Sequence, residues 1–269
     1  MRVRIIFNLK NKGAIVPFHH QHMLSEFITN ILGEGGNNGL RDYSFYNFSG
    51  LKGQTHVNKA GLQFYSSRIT LVLASPNETF INHFLSLLFE KQKVQLGNLI
   101  LSPESVEKEE TPEFGESVKY ICISPMVLIN PNNQKIDPKK FISPVTDDFS
   151  DILYDVIMSR MESSGNYTAQ QIASFFKFQV VPDKGYLEKI KSEEKKFARI
   201  YAVYEEEEMY EIRGYTLPFT LYAAPEVQKF IFLCGLGCLT YKGFGMLDIA
   251  NTDPSSRTVA YKNFVSAME

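Results

Sequence analysis

The chain has 269 residues, 44% of them hydrophobic and 22% charged, which is long for one ordinary domain and too apolar for a disordered segment, so two folded domains are expected. No apolar run approaches the roughly 20 residues that a bilayer-spanning helix needs, and Met1-Arg-Val-Arg-Ile-Ile-Phe7 reads as a strand rather than a leader, so a cytoplasmic location with no membrane partner is expected. A net charge of −2 argues against a globally basic nucleic-acid binder, and three cysteines (Cys122, Cys234, Cys238) without CxxC or Cys/His spacing argue against a disulfide scaffold or a zinc module.

Arg2 to Leu9 alternates apolar and polar residues as a half-buried strand does. After a loop through Pro17, Met23, Leu24, Phe27, Ile28, Ile31 and Leu32 recur at helical spacing, which predicts a helix from about His20 to Leu32 stopped by Gly33, Gly35 and Gly36. Tyr43 to Leu51 and Leu62 to Ala74 are rich in aromatic and β-branched residues and read as two strands of a hairpin, joined by a polar loop holding Lys52, His56 and Lys59. Asn77 is placed to cap a helix running to Phe89, and Val94 to Leu101 and Val118 to Ser124 supply further strand. Strand, helix, strand, strand, helix, strand is the ferredoxin-like order, so a first domain over residues 1–124 is expected.

The order then repeats more loosely. A strand reaches Ile129, Pro131 to Pro138 reads as a loop, and a helix is predicted over Asp147 to Met161. Strands follow around Phe175 to Val181, Arg199 to Tyr204 and Tyr210 to Tyr222, then a helix from Pro225 to Leu233 and a strand from Phe244 to Ile249, with part of the tail after Asn251 expected to be mobile. The expectation is an α+β chain of two tandem ferredoxin-like domains with antiparallel sheets, the second over residues 125–269.

Charge is unevenly spread along these elements. From Met1 to Ala60 seven basic residues (Arg2, Arg4, Lys10, Lys12, Arg41, Lys52, Lys59) outnumber three acidic ones (Glu26, Glu34, Asp42), a local excess of four. Acid is concentrated in Glu104 to Glu116 and Glu205 to Glu208, expected on exposed turns facing away from a polyanion.

The most specific motif is Gly235-Leu-Gly-Cys-Leu-Thr-Tyr-Lys-Gly-Phe-Gly-Met246, two Gly-x-Gly pairs five residues apart, between a predicted helix and a strand. A dinucleotide fingerprint follows a strand and opens a helix, and a P-loop closes on GK[ST]; this motif does neither. Glycines at positive φ can lay backbone N–H groups against a phosphodiester, and Lys242 adds charge; the bland alternative is a tight turn that packs helix on sheet.

A helix, this glycine spacing and a last strand resemble the signature of the repeat-associated RNA-binding superfamily found in CRISPR systems. Val16-Pro-Phe-His-His-Gln-His-Met-Leu-Ser-Glu-Phe-Ile28, Phe48-Ser-Gly-Leu-Lys-Gly53, Ile123-Ser-Pro-Met126 and Gly243-Phe-Gly-Met-Leu247 are similar to phrases of its endonucleases that process precursor guide RNA. The resemblance implies metal-independent cleavage of CRISPR repeat RNA, in which a ribose 2′-OH attacks the adjacent phosphate to leave 2′,3′-cyclic phosphate and 5′-OH ends. It implies no cofactor and no metal. Other CRISPR-associated proteins are expected as further partners, with monomer and homodimer both open.

Such a reaction needs a base, an acid and a cation for the phosphorane. His19, His20 and His22 lie where a loop enters the first helix, whose free N–H groups favour phosphate. His20 is the first candidate base, with His22 and Arg41 supporting and Tyr43 placed to orient the 2′-OH or stack a base. Lys52, Gly235, Gly237, Lys242, Gly243 and Gly245 are the expected RNA-binding residues. Family members often carry the catalytic histidine where this chain has Arg41, which cannot serve as a base. Hence either His20 or His22 substitutes, or the chain is a non-catalytic RNA-binding subunit of a CRISPR effector complex.

Overall fold

The computed structural model describes residues 1–36, 38–129, 137–205 and 208–265. It divides into two compact units: Met1–Thr111 with Tyr241–Gly243 and the chain from Asp253 onward, and Pro112–Thr240 with Phe244–Thr252. No helix among the described residues is long and apolar enough to cross a membrane.

The first unit contains, in chain order, β1 (Arg2–Leu9), β2 (Ile15–Val16), α1 (Gln21–Glu34), the short α2 (Asn38–Arg41), β3 (Asn47–Phe48), β4 (Thr55–Asn58), β5 (Gly61–Phe64), β6 (Arg68–Ala74), α3 (Glu78–Phe89), β7 (Val94–Leu96) and β8 (Leu99–Glu109). Its main sheet runs β8-β1-β6-β3, the strand order 4-1-3-2 of a βαββαβ ferredoxin-like unit, with β7 also paired to β8. Val3, Ile5 and Phe7 alternate into a core completed by Leu24, Ile28 and Ile31 of α1 and Phe80, Phe84 and Leu88 of α3. Each such buried side chain contributes about 2 kcal/mol. Asn77 caps α3 by accepting from the Phe80 N–H at 3.1 Å, as its sequence position predicts.

The other face of this sheet corrects the charge reading. Glu104, Glu107 and Glu109 lie on β8, not on a turn, and the antiparallel register sets Arg2 opposite Glu109 and Arg4 opposite Glu107. Arg2 Nε lies 3.1 Å from Glu109 Oε2 with both side chains buried, Arg257 donates to Glu109 Oε1 at 2.8 Å, and Arg68 pairs with Glu104. Arg2 and Arg4 are therefore largely neutralised within the sheet.

Three local expectations also change. Tyr43 to Leu51 yields only the two-residue β3, because Tyr43 and Tyr46 turn aside to pack on Phe80 at ring-centroid distances of 5.1 and 4.8 Å. The loop expected at Lys52 to Lys59 is strand in part: β4 pairs β5, and β2 completes a small sheet of order β2-β5-β4. Within the tail, Thr258–Val265 adds an edge strand to β8, and residues 266–269 lie outside the described residues.

In the second unit follow β9 (Ser117–Cys122), β10 (Met126–Val127), α4 (Asp147–Ser163), α5 (Ala169–Ser174), β11 (Phe178–Pro182), α6 (Lys184–Ser192), β12 (Ala198–Glu205), β13 (Glu208–Tyr215), β14 (Phe219–Ala223), α7 (Pro225–Cys234) and β15 (Leu247–Ile249). The sheet β15-β9-β14-β11 again has the order 4-1-3-2, with α4 and α7 as its helices and a β10-β13-β12 sheet inserted. The strand at Val118 to Ser124, expected to close the first domain, is the opening strand of this sheet, paired to β14 and β15. Its last-strand role in the first unit belongs to β8. Most of the expected loop at Pro131 to Pro138 lies outside the described residues. The three cysteines are free thiols, and burial pushes Cys122 and Cys234 up to about 12, where they stay protonated.

Candidate nucleic-acid interface

In the first unit the histidine phrase and the Phe48-to-Gly53 phrase are packing partners. His20 is 4% exposed. Its Nδ1 lies 3.1 Å from the Pro17 carbonyl, and its Nε2 accepts the Leu51 N–H at 3.1 Å, which sets the neutral Nδ1–H tautomer. A Cβ on Gly50 would come within 3.2 Å of that Nε2, so the backbone is held close against the ring. Burial, opposed by the hydrogen bond to Pro17, keeps the imidazole below its ordinary value. With both nitrogens engaged inside the fold, His20 has the geometry of a residue that positions the approach to α1, and it offers no ring nitrogen to a 2′-OH.

His22, in the first turn of α1, keeps 33% of its side-chain surface, and its Nε2 lies 3.3 Å from Oε1 of Glu26 at i+4. Arg41 is exposed but belongs to the other end of α1: its Nε lies 4.0 Å from where a Cβ on Gly33 would stand. Gly33 is about 16 Å along the helix from His22 at 1.5 Å per residue, so His22 and Arg41 do not converge on one phosphate. Tyr43 is half-buried, and its hydroxyl takes a hydrogen bond from Ser75 Oγ at 3.4 Å, so it covers the core rather than offering a stacking face. Lys52 is half-buried and paired through its backbone to Thr70, and His56 is exposed on β4.

A signal that the basic excess alone obscures is the distribution of acid. Neither residues 1–25 nor residues 43–77 contain a single Asp or Glu. These segments build the small sheet and the approach to α1, where Lys10, Lys12, His19, His56 and Lys59 are all exposed. The surface charge expected of the N-terminal region therefore sits on the small sheet, while the main sheet holds its arginines in ion pairs.

The glycine motif uses its glycines for close approach. Gly235, Gly237, Gly243 and Gly245 all have positive φ. In the second unit a Cβ on Gly237 would fall 2.4 Å from the Val127 carbonyl oxygen and one on Gly245 2.1 Å from that of Leu236. The Gly245 N–H donates to Pro125 O at 2.7 Å and the Met246 N–H to Ser124 Oγ at 2.8 Å, so Ile123-Ser-Pro-Met126 is the packing partner of the second Gly-x-Gly pair. In the first unit Tyr241 packs on the core, a Cβ on Gly243 would meet the Phe48 ring at 2.5 Å, and Lys242 Nζ lies 5.7 Å from the Tyr241 ring centroid. The four glycines are buried or turned inward. Leu239, Tyr241 and Lys242 keep partial exposure.

Two tandem ferredoxin-like units, the second with paired glycines between its last helix and last strand, define the class. The chain belongs to the Cas6 family: the model for "CRISPR associated protein Cas6, C-terminal" matches residues 107–249, more than half of its length. It is similar to CRISPR-associated endoribonuclease Cas6 1 of Methanocaldococcus jannaschii, 23% identical over 255 residues that cover 92% of each chain. Among solved structures it is similar to a CRISPR associated protein Cas6 (TM-score 0.74, 20% identity, 93% of this chain and 99% of that one). It is also similar to a RAMP protein binding different RNA substrates (TM-score 0.74, 18% identity, 93% and 100%).

Proposed function

We propose that this chain binds CRISPR repeat RNA and cuts it as a precursor-guide-RNA endoribonuclease, without a metal, leaving 2′,3′-cyclic phosphate and 5′-OH ends. The observation that carries the reading is the absence of Asp and Glu from residues 1–25 and 43–77 of the first unit, which expose Lys10, Lys12 and Lys59 and lead into the first turn of α1 that bears His22. The family membership and the endoribonuclease relative support the substrate class. His22 is the base in this reading, its ring oriented by Glu26, and His20 holds the loop that leads into the helix. Lys52 and Lys242 contact phosphate, and the glycines shape the backbone that carries Lys242 rather than touching RNA themselves.

A second reading, a binder that does not cut, is favoured by one specific observation: His20, Arg41 and Tyr43 are not brought to one point with His22. The similar RAMP structure that binds different RNA substrates agrees with it. Incubating repeat RNA in EDTA with wild type and His22→Ala separates the two. Cleavage is expected from wild type with cyclic-phosphate ends, and a loss of about 100-fold or more in His22→Ala. Intact RNA with retained tight binding selects the binder.

A further inference from the structure

In the second unit, strand β12 is a long edge with nothing to blunt it. It ends the β10-β13-β12 sheet and, among the described residues, pairs only with β13, over eight residues without a register shift. The other edge strands are each short or broken. β2, β3 and β10 have two residues, β7 and β15 three and β4 four, β11 ends in Pro182, and Thr258–Val265 carries a register shift. β12 contains neither proline nor lysine. The Thr216 N–H donates to Phe197 O at 2.7 Å, two residues ahead of Arg199. By the alternation of an antiparallel ladder, Arg199, Tyr201 and Val203 therefore turn their main chain towards β13, and Ile200 and Ala202 turn theirs outward.

The side chains of this edge complement themselves. Tyr201 and Val203 are buried in a small core with Val127, Ile212 and Phe244, and Arg199 and Glu205 extend the same face at its two ends, both exposed. The opposite face carries Ile200, Ala202 and Tyr204, with Tyr204 45% exposed. The start of the strand is basic: Lys195, Lys196 and Arg199 are exposed, and neither Lys196 nor Arg199 is in an ion pair among the described residues. Its end is acidic, and Glu205 stands opposite Glu208 of β13, a like-charge pairing that is unfavourable within one copy. Laid antiparallel to itself about Ala202, β12 sets Arg199 of each copy opposite Glu205 of the other and Ile200 opposite Tyr204, pairs of opposite charge and of aromatic with β-branched side chain.

We infer that the chain forms a homodimer by antiparallel self-pairing of β12. The contact is two-fold, the basic start of each strand meets the acidic end of the other, and two three-stranded sheets become one of six strands. A second copy fits this edge better than a polyanion does, because Glu205 and Glu208 at its other end repel phosphate.

The test is sedimentation velocity of the full chain from about 1 to 100 µM, at low and at high salt. Wild type should pass from monomer to dimer with rising concentration, and salt should weaken the dimer because its end contacts are charged and exposed. Arg199→Glu and Glu205→Arg should each weaken association about tenfold or more, since each creates two like-charge contacts. An equimolar mixture of these two variants should dimerise as wild type does, because both contacts are again opposite in sign. Ala202→Pro removes an outward N–H, leaves the ladder to β13 intact and should give a monomer. Far-UV circular dichroism verifies the fold of each variant, and the two charge variants carry the test if Ala202→Pro does not fold. A wild type that stays monomeric, a dimer that the charge variants leave unchanged, or a mixture that stays monomeric overturns the inference. A monomeric wild type whose Arg199→Glu variant loses affinity for repeat RNA overturns it too, and assigns the basic end to RNA.

Discussion

The two units solve the problem of a buried guanidinium in different ways. In the first, Arg2 and Arg257 share the carboxylate of Glu109, a formal charge meeting formal charges across neighbouring strands. In the second, Arg160 meets three carbonyls and a hydroxyl at the end of α7, so that dipoles stand where a carboxylate would be. The first arrangement fastens three strands in register. The second fastens a loop that has no ladder of its own.

The contrast predicts unequal costs. Glu109→Ala strands two enclosed cations and should lower stability by about 3–5 kcal/mol, read by urea unfolding followed by circular dichroism because the chain has no tryptophan. Arg160→Met leaves polar acceptors without donors but no orphan charge, and it should cost about 1–3 kcal/mol in the same measurement. Equal losses would erase the distinction drawn between charge and dipole compensation.

A neutral buried group should respond to pH rather than to replacement of a partner. The folded pKa of His20 lies below its ordinary 6.5, so above pH 6.5 the group contributes no pH dependence. As pH falls from 6.5 through the folded value, the unfolded chain takes up a proton that the folded chain resists, and stability declines. His20→Gln should flatten that part of a melting-temperature profile measured between pH 7.5 and 5. The smallest effect is expected on the same sheet as Glu109: Arg68, 67% exposed in its pair with Glu104, is screened by solvent, and Arg68→Ala should leave the unfolding midpoint unchanged.

Much of the architecture was legible because long apolar periodicities encode it. β1, α1, α3, α4 and α7 all follow repeats that place one face in a core, and their expected spans agree with the structure to within a few residues. Helices α5 and α6 are short and bury no residue fully, so their apolar signal is weak, and their caps, Thr168 with Gln171 and Asp183, mark them. The strand at Ser117–Cys122 shows the limit of local reading, since its membership is fixed by pairing with residues about a hundred positions further on. The site was legible as motifs but not as geometry. Nothing in Val16 to Ile28 announces that His20 will be closed over by the Leu51 N–H while His22 stays accessible. Arg160 had one faint mark, a basic residue beside buried Val156, Ile157 and Met161 on a helix that otherwise turns apolar groups inward.

The edge strand Thr258–Val265 carries a consequence for biogenesis. The first unit draws its outermost strand, and through Arg257 one of the two cations on Glu109, from the far end of the chain. While the polypeptide emerges from the ribosome, residues 1–111 must wait with β8 unzipped on one side until residues 258–265 are translated. Separate expression of that N-terminal fragment should accordingly give a sticky, incompletely closed sheet rather than a free-standing module.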